Sequence, residues 1–159
     1  MSELVEKFKK VKIVIFDFDG VLVDDNPTTE EIIKLRKLLG GFVSILKSKE
    51  IISGIITAGN ENKTIYELED TGLDYIETAS MDKVGRAEKI LLANHLEYEN
   101  LFFIGDGILD IPLLQKAGVS VAPSNARREV KRYVDIVLKV SGAENIITEL
   151  STIFKAIDN

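Results

Sequence analysis

Short, β-branched apolar runs alternate along this chain with segments in which apolar residues recur at helical spacing. The strongest runs cover 11–16, 51–56 and 101–104, and their almost wholly apolar content is typical of strands buried on both faces of a parallel sheet. Weaker strands are predicted over 75–77, 119–122 and 135–138. The pattern therefore predicts strands separated by helices along the whole chain.

Capping residues and helical periodicity predict the helices between these strands. Thr28 and Glu31 form the pattern of a capping box, which predicts a helix through Leu39. We expect the pair Gly40-Gly41 to break this helix and a second helical stretch to follow over 42–49. The other helices are predicted around 4–8, over 60–70 with Asn60 as the cap, over 83–96, 112–117 and 125–133, and from 143 onward.

The alternation of strand and helix predicts an α/β fold, a three-layer α/β/α, Rossmann-like parallel sheet formed by a single domain over 1–159. The segments 24–57 and 57–83 are too short to hold a separate cap domain, which needs a core of its own from roughly 50 residues or more. In such sheets, ligands bind beyond the carboxyl ends of the strands.

Composition excludes several classes of chemistry. The 159 residues include 20 Lys and Arg against 26 Asp and Glu, and this net charge of -6 argues against binding to nucleic acid. Without cysteine, and with His95 as the one histidine, a disulfide framework, a thiolate metal site or a histidine triad is not expected. No apolar stretch is long enough to span a membrane, and the charged segment 1–10 lacks a secretory pattern, so we expect a cytoplasmic protein.

Polar residues stand where the three strongest strands end and where the helix over 83–96 begins. These candidate site residues are Asp17, Asp19, Thr57, Lys83, Asp106 and Asp110. Each one alone has an ordinary structural explanation, such as a turn aspartate, a β-branched strand residue or a solvated lysine. Together they predict a cluster of carboxylates at one sheet edge, where a hard cation such as Mg²⁺ would relieve their repulsion.

The order of these residues resembles that of the haloacid dehalogenase-like (HAD) phosphohydrolases. Asp17-Phe18-Asp19-Gly20-Val21 is similar to the first motif of that family, DxDGV, and 105–110 to the fourth, GDxxxD. Thr57 and Lys83 stand where the second and third motifs are expected. Most of the chain resembles the cap-less branch that contains 3-deoxy-octulosonate (KDO) 8-phosphate phosphatases and acylneuraminate 9-phosphate phosphatases.

The resemblance implies a Mg²⁺-dependent phosphomonoester hydrolase that acts on a small phosphorylated metabolite, a sugar acid phosphate such as KDO 8-phosphate. Asp17 would be the nucleophile that forms an aspartyl-phosphate, and Asp19 the general acid and base. The metal would be held by Asp17, Asp106 and the backbone carbonyl of Asp19, with Asp110 bound through water or orienting the other ligands. The resemblance also implies a homo-oligomer, a tetramer.

The phosphate-binding residues follow from the same resemblance. Thr57 would hydrogen-bond a phosphate oxygen, and Lys83 would add positive charge to the phosphoryl group and keep Asp17 ionised. Gly20 and Ala58 would let backbone N–H groups approach the phosphate.

The sequence departs from the pattern of that branch at several points. Asn60 stands in place of the arginine that usually ends the second motif, and Gly107 in place of a second aspartate. Ser141-Gly142-Ala143-Glu144 replaces a loop rich in glycine and arginine, and 24–39 is more helical than the usual β-hairpin flap. A catalytically impaired scaffold is therefore an alternative, and a phosphorelay receiver domain is another, although its acidic residues follow a different order.

Basic residues cluster near one predicted helix, over 127–132. The cluster comprises Arg127, Arg128, Lys131 and Arg132. We interpret it as a solvated helix face, with contact to an acidic substrate or partner as the alternative. His95 is expected at a helix surface or a helix end, without a catalytic role.

Overall fold

The computed structural model describes residues 2–24, 26–143 and 145–157. The described strands are β1 (Ile13–Phe16), β2 (Ile52–Ile56), β3 (Tyr75–Glu77), β4 (Leu101–Ile104), β5 (Val119–Ala122) and β6 (Ile136–Val137). They form one sheet in the order β3-β2-β1-β4-β5-β6, and every pair of neighbours is parallel. The chain crosses from one half of the sheet to the other between β3 and β4, so the carboxyl ends of β1 and β4 lie side by side.

Helices cover both faces of this sheet. They are α1 (Glu3–Lys9), α2 (Thr29–Ser48), α3 (Lys63–Glu67), α4 (Lys83–Ala93), α5 (Ile111–Lys116), α6 (Arg128–Lys131) and α7 (Ile146–Ala156). Along β1, Val14 and Phe16 belong to the core under α1, α2 and α7, whereas Ile13 and Ile15 belong to the core under α4, α5 and α6. This alternation follows from the period of two in a strand, and it confirms the predicted three-layer α/β/α fold.

The expectation that Gly40-Gly41 breaks the second helix is wrong, because α2 continues from Thr29 to Ser48. One face of this helix is buried from Leu35 to Leu46, and this packing outweighs the low helix propensity of two glycines. A methyl group built on either glycine would meet no atom within 4 Å, so the glycines lie where the helix surface is open. The predicted cap at Thr28 is confirmed as a capping box with Glu31.

Replacing Gly41 by Ala is expected to stabilise the protein, because alanine costs less conformational entropy in a helix and here meets no neighbour. The free energy of unfolding should rise by about 1 kcal/mol, measured by chemical denaturation. The matched control is Gly72→Ala, where the backbone has φ 94°; alanine there should lower the stability. A loss of stability in Gly41→Ala would contradict this account of α2.

Several predicted boundaries are wrong by a few residues. The side chain of Asn62, and not that of Asn60, caps α3 by accepting a hydrogen bond from the Ile65 N–H. The predicted helix over 125–133 is reduced to α6, and the last helix begins at Ile146 instead of 143. In the late loop, which spans 141–144, Glu144 lies outside the described residues.

Two expectations about the exterior agree with the structure. His95 is exposed just after α4, with its backbone in the left-handed region at φ 57°. Among the described helices, none combines the length and the apolar content that a membrane crossing requires.

Candidate active site

The loop after β1 places one aspartate in a buried position and the next in an exposed one. Asp17 continues the sheet through its N–H, which donates to the Ile104 carbonyl, and its side chain is buried. Phe18 then turns into the core, and its carbonyl accepts hydrogen bonds from the N–H groups of the next turn. As a result, Asp19 is exposed while Asp17 is fixed at the end of the strand.

Gly20 shapes this loop, and its predicted role of letting backbone N–H groups approach a phosphate stays a prediction. Its φ of +80° lies in the left-handed region, and a Cβ there would come within 1.8 Å of an Asp106 carboxylate oxygen. Its own N–H is taken by the Val23 carbonyl at 2.8 Å. Glycine is needed here because the Asp106 side chain occupies the space that any other side chain would fill.

Lys83 links the acidic groups from separate strand ends. It is the first residue of α4, only 4% exposed, and its Nζ lies 2.9 Å from Asp17 Oδ1 and 2.5 Å from Asp110 Oδ1. Asp82 fixes the start of this helix, because its side chain accepts a hydrogen bond from the Gly85 N–H. The cap therefore helps to hold the ammonium group between the two carboxylates.

Asp110 organises the loop that follows β4. Its second oxygen, Oδ2, accepts hydrogen bonds from the backbone N–H groups of Asp106 and Gly107, each at 3.0 Å. Both oxygens of this buried side chain are thus occupied by groups of the protein. Asp110 therefore holds the backbone of Asp106 in position. The carboxylate of Asp106 itself forms no ion pair with the described residues.

A metal ion could be held by an acidic cluster of three side chains, Asp17, Asp106 and Asp110. One carboxylate oxygen from each lies within 4.8 Å of the others. With all ionised, three carboxylates against the one ammonium of Lys83 leave a formal charge of -2, which matches a divalent cation. The side chain of Asp19 does not join the group, so a contact between Asp19 and a metal through the backbone carbonyl stays a prediction.

Burial and mutual repulsion shift the ionisation of this cluster. Burial, followed by the charge of Asp110, raises the pKa of Asp17 from 3.8 to about 8 against the opposing effect of Lys83. Burial also raises the pKa of Asp106. Although burial alone would lower the pKa of Lys83, the charges of Asp17 and Asp110 raise it, so the lysine stays protonated.

A cleft opens above the acidic cluster at the carboxyl edge of the sheet. Its lining comprises Asp17, Asp19, Thr57, Ala58, Gly59, Lys83, Gly107, Ile108, Leu109, Asp110 and Arg127. The buried Thr57 hydroxyl lies here and accepts a hydrogen bond from the Gly59 N–H at 3.2 Å. Neither Gly20 nor Asn60 belongs to this lining. The structure thus brings six of the predicted site residues, including Ala58, to one cleft and places Asp106 beside it in the acidic cluster.

Arg127 is exposed and lines the cleft, so contact with an acidic substrate, the alternative interpretation of the basic cluster, stays a prediction for this residue. Neither Arg128 nor the other basic residues of its cluster line the cleft. The signal for Arg127 lay in the topology, since it follows β5, the neighbour of β4 on the carboxyl edge. Ile108 and Leu109 also line the cleft, but two apolar residues between Asp106 and Asp110 carry no chemical signal in the sequence.

The late loop closes against the loop after β1. The Ala143 N–H donates to the Val21 carbonyl at 2.9 Å, and a Cβ at Gly142 would lie 1.6 Å from the Gly20 carbonyl oxygen. The Gly142 N–H donates to Asn125 Oδ1 at 2.6 Å. The described part of the late loop therefore supports the loop that carries Asp17 and Asp19.

Comparison with known proteins identifies the family that this geometry belongs to. A family model described as a haloacid dehalogenase-like hydrolase matches residues 8–150. This chain belongs to the HAD-like hydrolases. The resemblance of its motifs is thereby confirmed, and the receiver domain that was considered as an alternative is wrong.

Curated relatives of this HAD-like chain are phosphatases. A phosphoglycolate phosphatase of Methanopyrus kandleri is 32% identical over 117 residues, which make up 73% of this chain. This chain spans about half, 48%, of the length of that relative. A 3-deoxy-D-manno-octulosonate 8-phosphate phosphatase of Escherichia coli (strain K12) is 24% identical over 154 residues, which cover 94% of this chain and 81% of the relative. The prediction of an enzyme, a hydrolase of the phosphatase class, is confirmed.

A solved structure shows the same HAD-like fold. The 3-deoxy-D-manno-octulosonate 8-phosphate phosphatase of Moraxella catarrhalis, in complex with magnesium ion, phosphate ion and a KDO molecule, matches with a TM-score of 0.86. The alignment covers 100% of this chain and 94% of that structure, at 20% sequence identity. At this identity, the likeness concerns the fold alone.

Proposed function

We propose that this chain is a Mg²⁺-dependent phosphomonoester hydrolase that works through an aspartyl-phosphate intermediate on a sugar acid phosphate such as KDO 8-phosphate. The observation that carries the proposal is the convergence of Asp17, Asp106 and Asp110 within 4.8 Å of one another, with Lys83 bridging two of them. These side chains come from three separate segments, and they meet at the base of an open cleft. Family membership and the phosphatases among the relatives support the same reaction class.

Asp17 is the proposed nucleophile. Its Oδ1 accepts hydrogen bonds from the Phe18 N–H at 2.8 Å and from Lys83 at 2.9 Å, and these bonds fix the orientation of the carboxylate. The other oxygen is left to attack phosphorus, while the bond from phosphorus to the ester oxygen breaks. Lys83 favours the ionised form of Asp17 that this attack requires.

Asp19 is the proposed general acid and base. It is exposed in the same cleft, two residues after the nucleophile, and lies outside the acidic cluster. In the first step, its carboxyl proton would pass to the departing alkoxide. In the second step, its carboxylate would take a proton from the water that hydrolyses the aspartyl-phosphate, which returns Asp17 to its starting state.

Donors at the strand ends are positioned for the phosphoryl oxygens. Thr57 lines the cleft at the end of β2, and Ala58 follows with an N–H that has no acceptor among the described residues. The Asp19 N–H is likewise left without an acceptor in the described part of the chain. Together with Lys83, these groups would bind the negative charge that is spread over the transferring phosphoryl group.

The residues fit a magnesium ion. Asp17 and Asp106 would hold it, with Asp110 keeping Asp106 in place through the backbone of its loop. When bound, Mg²⁺ neutralises the crowded carboxylates and the phosphate oxygens that face them. The acidic cluster and the hydrogen-bonded loop around it are the observations that support this assignment.

The proposal extends to the substrate, the domain organisation and the oligomeric state. The name of the Escherichia coli relative supports the sugar acid phosphate, although the Methanopyrus kandleri relative is named for another phosphate ester. We also propose that the chain is a single catalytic domain without a cap, because only α3, a single 3₁₀ turn and β3 separate β2 from α4 among the described residues. The homo-oligomer, a tetramer by resemblance, stays a prediction.

The decisive experiment is hydrolysis of p-nitrophenyl phosphate and of KDO 8-phosphate by the purified protein. We expect phosphate release with Mg²⁺, its loss with EDTA and its return when Mg²⁺ is added back. Release with KDO 8-phosphate should exceed that with other phosphorylated metabolites. No release from any ester in the presence of Mg²⁺ would contradict the proposed function and favour the impaired scaffold.

Magnesium is also expected to stabilise the fold, and more strongly at pH 8 than at pH 6. The pKa of Asp17 is raised to about 8 in the metal-free fold, so that fold holds more protons than the unfolded chain between about pH 4 and pH 8. Its stability therefore falls as pH rises through this window, and bound Mg²⁺ offsets the repulsion between the ionised carboxylates. Thermal unfolding with and without Mg²⁺ measures the effect, and Asp106→Asn should reduce it. A shift in Tm that is the same in Asp106→Asn would contradict the metal site.

A further inference from the structure

Arg127 contacts the loop after β4 through its backbone and lines the cleft with its side chain. It stands just before α6, and its N–H donates to the Asp106 carbonyl at 3.4 Å. The side chain is exposed and lines the same cleft as Asp17, Asp19 and Lys83. A backbone contact thus ties the position of this guanidinium to that of a proposed metal ligand.

The charge of Arg127 is available to a ligand. Lys83, the other cation in the cleft lining, is buried and engaged by Asp17 and Asp110. Arg127 forms no ion pair with any residue that the structure describes. In a chain of net charge -6, an arginine that lines a cleft beside three aspartates without pairing with any of them indicates that an anionic ligand binds it.

The location of Arg127 favours contact with the leaving group of the ester rather than with its phosphoryl group. The groups proposed to bind phosphate, namely Thr57 and Lys83, are buried at the base of the cleft. Arg127 is exposed, as are Ile108 and Leu109, whose side chains are 51% and 54% exposed and offer no polar atoms. An ester bound with its phosphoryl group at the base would extend its other end past these residues.

A carboxylate suits this guanidinium best. The planar fork of arginine donates two parallel hydrogen bonds to the two oxygens of a carboxylate. One guanidinium also balances a single negative charge, whereas a second phosphate would bring up to two charges into a cleft that already holds Asp17, Asp19 and Asp110. We propose that Arg127 binds a carboxylate on the leaving group and so makes the enzyme selective for the phosphate esters of hydroxy acids; this inference rests on the proposed function.

The test compares Arg127→Ala with the wild type on a matched pair of esters. 3-Phosphoglycerate carries a carboxylate where glycerol 3-phosphate carries a hydroxymethyl group, and p-nitrophenyl phosphate reports on the chemical step without either group. Removal of the guanidinium is expected to lower kcat/KM for 3-phosphoglycerate about 10- to 100-fold, the usual range for hydrogen bonds to charged groups. The other two esters should change by less than about 2-fold, since they make no such bond.

Two further variants sharpen the result. Arg128→Ala removes an equal charge from the neighbouring exposed residue, which does not line the cleft, and should leave all three values unchanged. Arg127→Lys keeps the charge but loses the planar fork, so we expect an intermediate loss on 3-phosphoglycerate.

The contrary outcomes are distinct. Equal losses on all three esters would place Arg127 at the phosphoryl group and overturn the proposal. An unchanged preference for 3-phosphoglycerate in Arg127→Ala would overturn it as well. If the wild type hydrolyses none of the esters with Mg²⁺, the proposed function fails and this inference fails with it.

Discussion

Replacing Asp17 by Asn is expected to lower the turnover of any phosphate ester by about 10⁴-fold or more, because the amide cannot attack phosphorus. The change keeps the size of the side chain, and it removes a buried carboxyl whose pKa is raised to about 8. The variant should therefore fold, and above that pH the metal-free protein should be at least as stable as the wild type. Steady-state phosphate release and thermal unfolding measure the two effects.

The matched control for this variant is Asp70→Asn. Asp70 forms an exposed ion pair with Arg36 and neither lines the cleft nor belongs to the acidic cluster, so this change should leave turnover within about 2-fold of the wild type. After reaction with substrate, only proteins with Asp17 intact should yield a phosphorylated aspartate that borohydride reduces. Turnover within 10-fold of the wild type in Asp17→Asn would remove Asp17 as the nucleophile.

Replacing Lys83 by Met is expected to impair both activity and stability. The change leaves Asp17 and Asp110 facing each other without the ammonium that lies within 3.0 Å of both. Removing one partner of a buried ion pair lowers the free energy of unfolding by about 3 to 5 kcal/mol. Turnover should fall about 100- to 1000-fold, because the variant also loses a positive charge at the transferring phosphoryl group.

Lys89→Met is the control, since Lys89 is exposed on the same helix and should tolerate the change. Added Mg²⁺ should restore part of the stability of Lys83→Met, because a cation again faces the carboxylates, but it should not restore the turnover. If Lys83→Met is as stable as the wild type without metal, Lys83 does not stabilise the fold by pairing with Asp17 and Asp110.

The sheet and most of the acidic site could be predicted because their signals are local. β1 and β4 are uninterrupted apolar runs; Asp17 follows β1 directly, and Asp106 follows β4 after Gly105. Once the strands are parallel, topology alone brings their carboxyl ends to one edge. Membership of the family could likewise be inferred, because the aspartate motifs lie within short stretches of sequence.

The remaining features depend on contacts between distant segments. The two glycines of α2 are a local signal for a break, but the burial of Leu39 and Phe42 on either side of them keeps the helix whole. The role of Gly20 depends on where the side chain of Asp106 lies, and the role of Arg127 depends on its backbone contact with the same residue. Neither contact leaves a trace in the spacing of the sequence.

The close contact between Gly142 and Gly20 affects when the loop around Asp17 can fold during synthesis. The segment that bears Asp17 leaves the ribosome early, yet the loop around it cannot take its final form until the late loop has also emerged and docked. A nascent chain that ends before Gly142 would therefore lack the contacts that support the loop around Asp17. Activity should therefore appear only in chains that extend beyond the late loop.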